Sequence, residues 1–246
     1  MVSEDVKVGH FGREAIVGSV VLPGQVVEEA SSAEQKKVTL GPGVERVKEN
    51  IVVCNSGILK KSEPNIYYVD NLQKRYTPVR KECVIGVVTM KAGDIFKIDI
   101  NSSEQASLSY LAFENVSKKN RPRIEVGDLV YAQILSASKD MEPELVCVNS
   151  YGKQVTMGVL PAEGFLFQCS INLIRKILSP ECPLLSKLGK RIPYETAIGM
   201  NGRIWIKAKN VDATLLIGNA ILASEYASTE TINEICDNLL KKLPNV

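Results

Sequence analysis

Residues 83–100 read CVIGVVTMKAGDIFKIDI, and this stretch decides the fold of the middle of the chain. Its first part, Cys83 to Met90, is a nearly continuous run of strand-forming residues. From Asp94 to Ile100 the two faces alternate, with Ile95, Lys97 and Asp99 on one side and Phe96, Ile98 and Ile100 on the other. Because an alternation of period two indicates a half-buried strand, the stretch predicts two consecutive β-strands.

Three further strand patterns follow this pair. They are Ala106–Phe113, Leu129–Leu135 and Leu145–Val148. Five strands between residues 79 and 150 match the strand number and size of an OB-fold barrel. On the pattern alone, any other small five-stranded barrel fits as well.

The region before the barrel, residues 1–78, is predicted to form a separate β domain. It is rich in Val and Gly, shows no helical period and contains short strand candidates. These are residues 17–27, broken by Pro23-Gly24, and then 51–53, 57–59 and 66–69. The polar stretch from Glu28 to Lys37 is expected to be a flexible loop.

The region after the barrel, residues 151–246, changes to a mixed pattern. A strand is predicted at Gly164–Cys169, followed by a helix that Ser170 caps and Pro180 ends, and by a short helix at Pro183–Leu188. Two strands, Thr196–Ile198 and Arg203–Lys207, precede two helices that Asp212 and Ser228 are expected to cap. The predicted fold class is therefore multi-domain and mainly β, with a C-terminal α+β domain.

Composition excludes several classes of function. The chain has 246 residues, a net charge of +2, one histidine (His10) and six cysteines. A metal site built of histidines is impossible, and any nucleophilic site that needs a histidine would depend on His10. No two cysteines form C-x-x-C and no secretory signal is evident, so we expect reduced, mostly buried thiols in an intracellular protein. The motifs of P-loop, dinucleotide-binding and serine-hydrolase proteins are absent from the sequence.

A dense basic cluster lies between two predicted barrel strands. Its cations are Lys118, Lys119, Arg121 and Arg123, within six residues. They are predicted to bind RNA phosphates, with the preceding Tyr110 and Phe113 as stacking surfaces. The alternative from pattern alone is a solvated basic turn, with both aromatic rings in the barrel core.

Gly199-Met200-Asn201-Gly202 admits two interpretations. It resembles the G-x-x-G loop with which KH domains clamp a nucleotide backbone. Asn-Gly between two strand-like runs is also typical of a tight hairpin, and this is the interpretation that we favour. Trp205, which alternates with Ile204 and Ile206, is expected to be a buried interface residue rather than a base-stacking platform.

Three carboxylates keep a hydrolase open as an alternative. Asp94, Asp99 and Asp128 fall in the barrel region, but nothing in their spacing marks a metal pair. Asp128, in Val126-Gly127-Asp128, is best explained as a turn residue at the start of a strand. We expect no metal and no other cofactor.

The order of the modules resembles the cap proteins of the RNA exosome, which join an N-terminal domain, an S1 RNA-binding domain and a KH domain. The residues that carry the resemblance are 22–24 and 40–43 in the first module, 107–113, 117–122 and 126–132 in the barrel, and 195–205 in the last module.

The resemblance implies a non-catalytic protein. Cap proteins of this type sit on a ring of RNase-PH-like subunits, beside other cap subunits. They line the entrance through which single-stranded RNA reaches a separate exoribonuclease. The resemblance also implies work in the nucleus, nucleolus and cytoplasm, in ribosomal RNA processing and RNA decay.

Within that family, the residues corresponding to Gly199, Met200, Asn201 and Gly202 are thought to pack between the barrel and the KH domain.

The alternative to an exosome cap protein is a stand-alone OB/KH protein that binds RNA and is associated with ribosomes or translation.

Overall fold

A computed structural model describes residues 14–27, 38–114, 116, 122–138, 141–148, 153, 156–180 and 182–242. The chain forms two compact units, Met1–Leu72 and Gln73–Val246. The loop expected at Glu28–Lys37 lies outside the described residues, as does His10. The domain boundaries at residues 78 and 150 stay predictions.

The first unit is a small β domain. Its strands are β1 (Val20–Val21), β2 (Thr39–Leu40), β3 (Val44–Val47), β4 (Asn50–Val53), β5 (Gly57–Ser62) and β6 (Ile66–Asp70). One sheet has the order β1-β5-β6-β2, and β3 and β4 form a separate hairpin. Gly57 allows β5 to lie close to β6, because a Cβ atom at Gly57 would stand 2.4 Å from the Asp70 carbonyl oxygen. The core is formed by apolar residues such as Val21, Ile51 and Leu59.

The second unit begins with the predicted barrel. Its strands are β7 (Cys83–Ala92), β8 (Ile95–Asp99), β9 (Ala106–Ser109), β10 (Leu129–Ser138) and β11 (Met141–Val146). The sheet order is β11-β9-β8-β7-β10, and β10 also pairs with β11, which closes the barrel. A short strand, β12 (Gly158–Val159), adds to β10. The five-stranded barrel is confirmed, with Phe96, Ile98 and Leu108 among its buried residues.

One predicted strand is too long. The pattern at Ala106–Phe113 predicts a strand throughout, but β9 ends at Ser109 and Tyr110–Ala112 form a 3-10 turn. The Ser109 hydroxyl accepts a hydrogen bond from the Leu111 amide at 3.3 Å. This local bond competes with the strand ladder and begins the turn.

The chain ends in an α+β fold. Its elements are β13 (Phe165–Gln168), α1 (Ile171–Leu178), α2 (Leu184–Gly189), β14 (Tyr194–Gly199), β15 (Arg203–Ala208), α3 (Val211–Ala223) and α4 (Thr229–Lys242). The antiparallel sheet has the order β13-β15-β14. Ser170 caps α1 by accepting the Leu173 amide at 3.1 Å, and Ser228 accepts the Thr231 amide at 3.3 Å. Both predicted caps are confirmed.

The predicted cap at Asp212 is wrong, because α3 begins at Val211 and its N-cap is Asn210, two residues before Asp212. The Thr214 hydroxyl donates to the Asn210 carbonyl at 3.0 Å and accepts the Ala208 amide at 3.2 Å, which fixes the entry into the helix there. Asp212 then lies in the first turn, where its negative charge faces the positive end of the helix dipole. Across the described residues, no helix is long and apolar enough to cross a membrane.

All six cysteines are free, but the expectation that most are buried is wrong. Only Cys147 and Cys236 are buried, Cys54 is exposed, and the other three are half-buried.

Candidate nucleic-acid interface

The turn between β14 and β15 is a hairpin turn, as the Asn-Gly pattern predicts. Its Asn201 is completely buried, and its bonds cross to the barrel. The side-chain amide donates to the carbonyl oxygens of Ile85 at 2.8 Å and Ile100 at 2.9 Å, and its oxygen accepts the Ile85 amide at 3.3 Å. Every polar group of this side chain is therefore used within the protein.

Arg203, directly after the turn, makes a second link to the barrel. Its Nη1 donates to the Asp99 carbonyl at 2.6 Å, and its Nη2 donates to the Asp99 carboxylate at 2.5 Å. Burial pulls the pKa of Asp99 upward, but the hydrogen bonds from Arg203 and the Asn101 amide outweigh it and hold that pKa below its usual value. The Arg203 side chain is only 5% exposed, so this is a nearly buried charge in contact with its counter-ion.

Apolar residues complete the contact. Trp205 is 3% exposed and packs in a small cluster with Ile85, Ala197 and the half-buried Tyr131. A Cβ atom added at Gly164 would lie 2.0 Å from the indole, so the ring rests on the glycine backbone. The Trp205 ring is buried and is not available to stack on a base.

The turn therefore differs from a KH clamp in both position and environment. Gly199 and Gly202 are needed for packing, because Cβ atoms there would lie 2.7 Å from the Ile85 amide nitrogen and 2.7 Å from the Cys169 carbonyl oxygen. In an ordinary KH domain the G-x-x-G loop joins two helices. Here the segment between α1 and α2, residues 179–183, reads SPECP and contains no glycine. The role of Gly199, Met200, Asn201, Gly202 and Trp205 as a structural turn between domains stays a prediction that this geometry supports.

The outer face of β8 and β9 carries exposed and half-buried side chains. In OB-folds the face of the second and third strands binds oligonucleotides, and β8 and β9 hold those positions in this barrel. Lys97 pairs across the face with Ser107 and makes an ion pair with Glu142. Lys91, at the end of β7, pairs with the buried Phe96, and its Nζ lies 5.6 Å from the centre of that ring, so it does not belong to this face. Cationic and hydroxyl groups of this kind suit phosphate and sugar contacts.

Three of the four cations in the predicted basic cluster lie outside the described residues: Lys118, Lys119 and Arg121. Arg123 is exposed, and Ile124 beside it is buried in the barrel core. Tyr110 and Phe113 are 5% and 7% exposed, so both rings belong to the core and the stacking hypothesis for them is wrong. The RNA-binding role of the four cations stays a prediction.

The groups that the sequence left open for catalysis have structural partners. Asp128 accepts the Glu125 amide at 2.8 Å, as expected of a turn residue. Asp99 is bound to Arg203. Burial raises the pKa of the Cys147 and Cys169 thiols to about 12, so both are protonated at neutral pH and are poor nucleophiles. Among the described residues, no three His, Cys, Asp or Glu side chains are grouped to hold a metal ion.

Known protein families match three consecutive parts of the chain. Residues 18–72 match "Mammalian exosome complex component RRP40, N-terminal", residues 76–158 match "Exosome complex component RRP40, S1 domain", and residues 164–212 match "KH domain".

Curated relatives match over nearly the whole length. The chain is 48% identical to the exosome complex component RRP40 of Drosophila melanogaster over 90% of this chain and 95% of that protein. It is 42% identical to the human protein of the same name over 91% of each. A solved structure described as a putative exosome complex RNA-binding protein shares the fold, with a TM-score of 0.56 at 20% identity, over 68% of this chain and 98% of that one.

Proposed function

This chain belongs to the RRP40 family of exosome complex components, and we propose that it is a non-catalytic, RNA-binding cap subunit of that complex. The observation that carries the proposal is that the polar groups of the Gly199–Gly202 turn are bonded within the protein. Asn201 and Arg203 place their polar groups on the barrel strands. RNA is therefore expected on the barrel and not at the Gly199–Gly202 turn.

The links between the barrel and the KH fold serve this function by fixing one surface relative to the other. The Met200 amide donates to the Cys83 carbonyl at 2.9 Å, which adds a backbone bond at the start of β7. Together with the Asn201 and Arg203 bonds, it joins the turn to β7 and to the end of β8. A rigid joint costs less entropy when RNA binds, because the contacting groups are already positioned.

RNA held on this surface is expected to be guided and not cleaved. The polar groups of the β8–β9 face contact phosphate and sugar, and such contacts position a strand without reading its sequence. The Cys147 and Cys169 thiols are protonated, and the barrel carboxylates Asp99 and Asp128 are used in structural hydrogen bonds. Cleavage therefore belongs to a separate exoribonuclease subunit.

The partners follow from the same assignment. We expect the chain to sit on a ring of RNase-PH-like subunits beside other cap subunits, with the N-terminal module making much of the contact. We also expect it in the nucleus, nucleolus and cytoplasm. A stand-alone RNA-binding protein associated with ribosomes is the competing assignment.

A nuclease assay on the purified full chain tests the non-catalytic role. Labelled single-stranded RNA is incubated with the chain and Mg²⁺, and both binding and cleavage are measured. We expect bound, intact RNA. Cleavage that follows the chain through purification and is lost in an Asp94, Asp99 or Asp128 variant would overturn the proposal. Cleavage that separates from the chain during purification is a contaminant and leaves the expected result standing.

A further inference from the structure

We propose that Lys74, Arg75, Arg80 and Lys81 form a second binding site for the phosphate backbone of single-stranded RNA, which we call the β7-entry patch. It rests on the proposed RNA-binding function, but it lies away from the β8–β9 face. The four cations occur between Gln73 and Glu82, a stretch with only one carboxylate.

The charges of the patch are available to a ligand. All four cationic residues are exposed, and within the described part of the chain none of the four side chains makes an ion pair. The single carboxylate, Glu82, accepts a hydrogen bond from the Tyr76 hydroxyl at 2.6 Å. That bond directs Glu82 to Tyr76 and leaves a local excess of positive charge at the surface.

The fold brings the two basic pairs together. Tyr76 is 4% exposed and packs in the barrel core, and its bond to Glu82 joins the two ends of the segment. Arg75 precedes Tyr76 and Lys81 precedes Glu82, so each partner of this hydrogen bond stands next to one of the two basic pairs. Neighbouring cations of this kind can contact successive phosphates of one strand.

Lys81 is held in an unusual conformation. Its φ is +74°, in the left-handed region that a glycine adopts readily and a lysine rarely does. The surrounding bonds fix it there: the Lys81 amide donates to the Ile134 carbonyl at 2.8 Å, and the Gln133 side chain donates to the Lys81 carbonyl at 3.0 Å. Strained residues on well-fixed backbone often serve a function, and here the strain presents a cation.

The chemistry of the patch favours RNA over a protein partner. Protein interfaces have an apolar centre and are depleted in lysine. Between residues 73 and 82, Val79 is the one exposed large apolar side chain, and the Tyr76 ring is buried. Phosphate contacts need only exposed arginine and lysine, with arginine able to bind a phosphate through two hydrogen bonds.

The patch is also separate from the basic cluster that contains Arg123. The turn after Arg123 reaches β7 at Val88, where the Gly127 amide donates to the Val88 carbonyl at 2.8 Å. The β7-entry patch adjoins Cys83, at the other end. At about 3.3 Å per residue, the two contacts with β7 are roughly 16 Å apart. A strand of RNA that touches both would therefore run along the barrel.

The test compares salt dependence in matched variants of the full chain. Arg80→Gln/Lys81→Gly removes two cations and places at position 81 a residue without a Cβ atom, which suits the φ of +74°. A second variant adds Lys74→Gln/Arg75→Gln. The control, Lys190→Gln/Arg191→Gln, removes an exposed basic pair of the KH fold. Binding of a labelled polyuridylate oligonucleotide is measured by anisotropy from about 50 to about 200 mM salt.

We expect the slope of log affinity against log salt to become shallower by about 0.7 for each cation removed from the patch. The control should keep the wild-type slope. The melting temperature of Arg80→Gln/Lys81→Gly should be no lower than that of the wild type, because glycine relieves the left-handed strain. Weaker binding by a chain that is equally stable cannot be attributed to unfolding.

An unchanged salt slope in the variant that lacks all four cations would overturn the proposal. An equal change of the salt slope in the control would also overturn it, because that would show an effect of net charge alone. If the variant that lacks all four cations binds RNA normally but no longer co-purifies with RNase-PH-like subunits, the patch is a protein interface and the proposal is overturned. In all three cases wild-type RNA binding leaves the proposed function standing. A wild-type chain that binds no RNA overturns both proposals.

Discussion

Arg203 and Asp99 form an ion pair of 2.5 Å between two different folds, because Arg203 begins the second strand of the KH hairpin and Asp99 ends a strand of the barrel. The guanidinium is nearly buried, whereas the carboxylate is 42% exposed. Removing the carboxylate leaves a cation in a site that water reaches poorly, which is costly. The pair therefore couples the stability of the two folds.

The first prediction is a pH-dependent role for Asp99. Its pKa is lower in the folded chain than the value of about 3.9 expected when unfolded, so ionised Asp99 stabilises the fold above that pH and the effect is lost as pH falls through the folded pKa. Asp99→Asn should lower the melting temperature at neutral pH, and the gap to wild type should begin to narrow below about pH 4 and close as pH falls through the folded pKa. A gap of constant size down to about pH 3 would show that the charge is not responsible.

The second prediction concerns Gly202. Its φ is +82°, and a Cβ atom would stand 2.7 Å from the Cys169 carbonyl oxygen. Gly202→Ala should therefore cost about 1–3 kcal/mol in the free energy of unfolding and lower the melting temperature. RNA affinity of the folded fraction should stay nearly intact. Normal melting with weakened RNA binding would instead support the KH-clamp interpretation.

The third prediction concerns Trp205. Because the ring is buried against Ile85 and Gly164, Trp205→Ala should cost about 3–5 kcal/mol, measured by denaturant unfolding. Phe165→Ala is the matched control, since Phe165 is an aromatic residue on the same sheet that is 46% exposed. The control substitution should lower the free energy of unfolding by clearly less. Equal losses of unfolding free energy in the two variants would argue against a special role for the buried indole.

The fourth prediction concerns the basic cluster that contains Arg123. Changing Lys118, Lys119, Arg121 and Arg123 to Glu should weaken RNA association in the assembled complex and make its salt dependence shallower. Sequence preference should hardly change, because phosphate contacts do not read bases. A salt slope equal to that of wild type would mean that the cluster is a solvated turn or a protein contact.

The sequence predicts those parts of the structure that depend on local pattern. Alternation in Asp94–Ile100 predicts β8, and Asn201-Gly202 between apolar runs predicts the hairpin. It does not predict that Asp99 binds Arg203, because the partners are 104 residues apart and each alone resembles a surface charge. The β7-entry patch is missed for a different reason: its cations are near in sequence, but the pattern does not show that Tyr76 is buried and hydrogen-bonded to Glu82.

The strand end at Ser109 shows a different limit. Leu108, Tyr110 and Ala112 alternate as in a strand, and Tyr110 is indeed buried. Alternation reports which side chains face the core, but it does not report the hydrogen bond from the Leu111 amide to the Ser109 hydroxyl. That bond turns the backbone while Tyr110 stays in the core.

Deleting the N-terminal module is expected to release the chain from its complex. The deletion is best ended at Leu72, because Tyr76 is buried in the barrel core and a cut at residue 78 would damage that fold. The chain without residues 1–72 should keep its melting transition but lose co-purification with RNase-PH-like subunits. Retained stoichiometric association would contradict the assignment of the contact to this module.

The mass of the native complex that contains the full-length chain, purified under mild conditions, decides between an exosome subunit and a protein that works alone. We predict that the chain is found in one large assembly, in equal stoichiometry with RNase-PH-like ring subunits and other cap subunits. A chain that is recovered by itself, or with ribosomes and without ring subunits, would contradict the assignment.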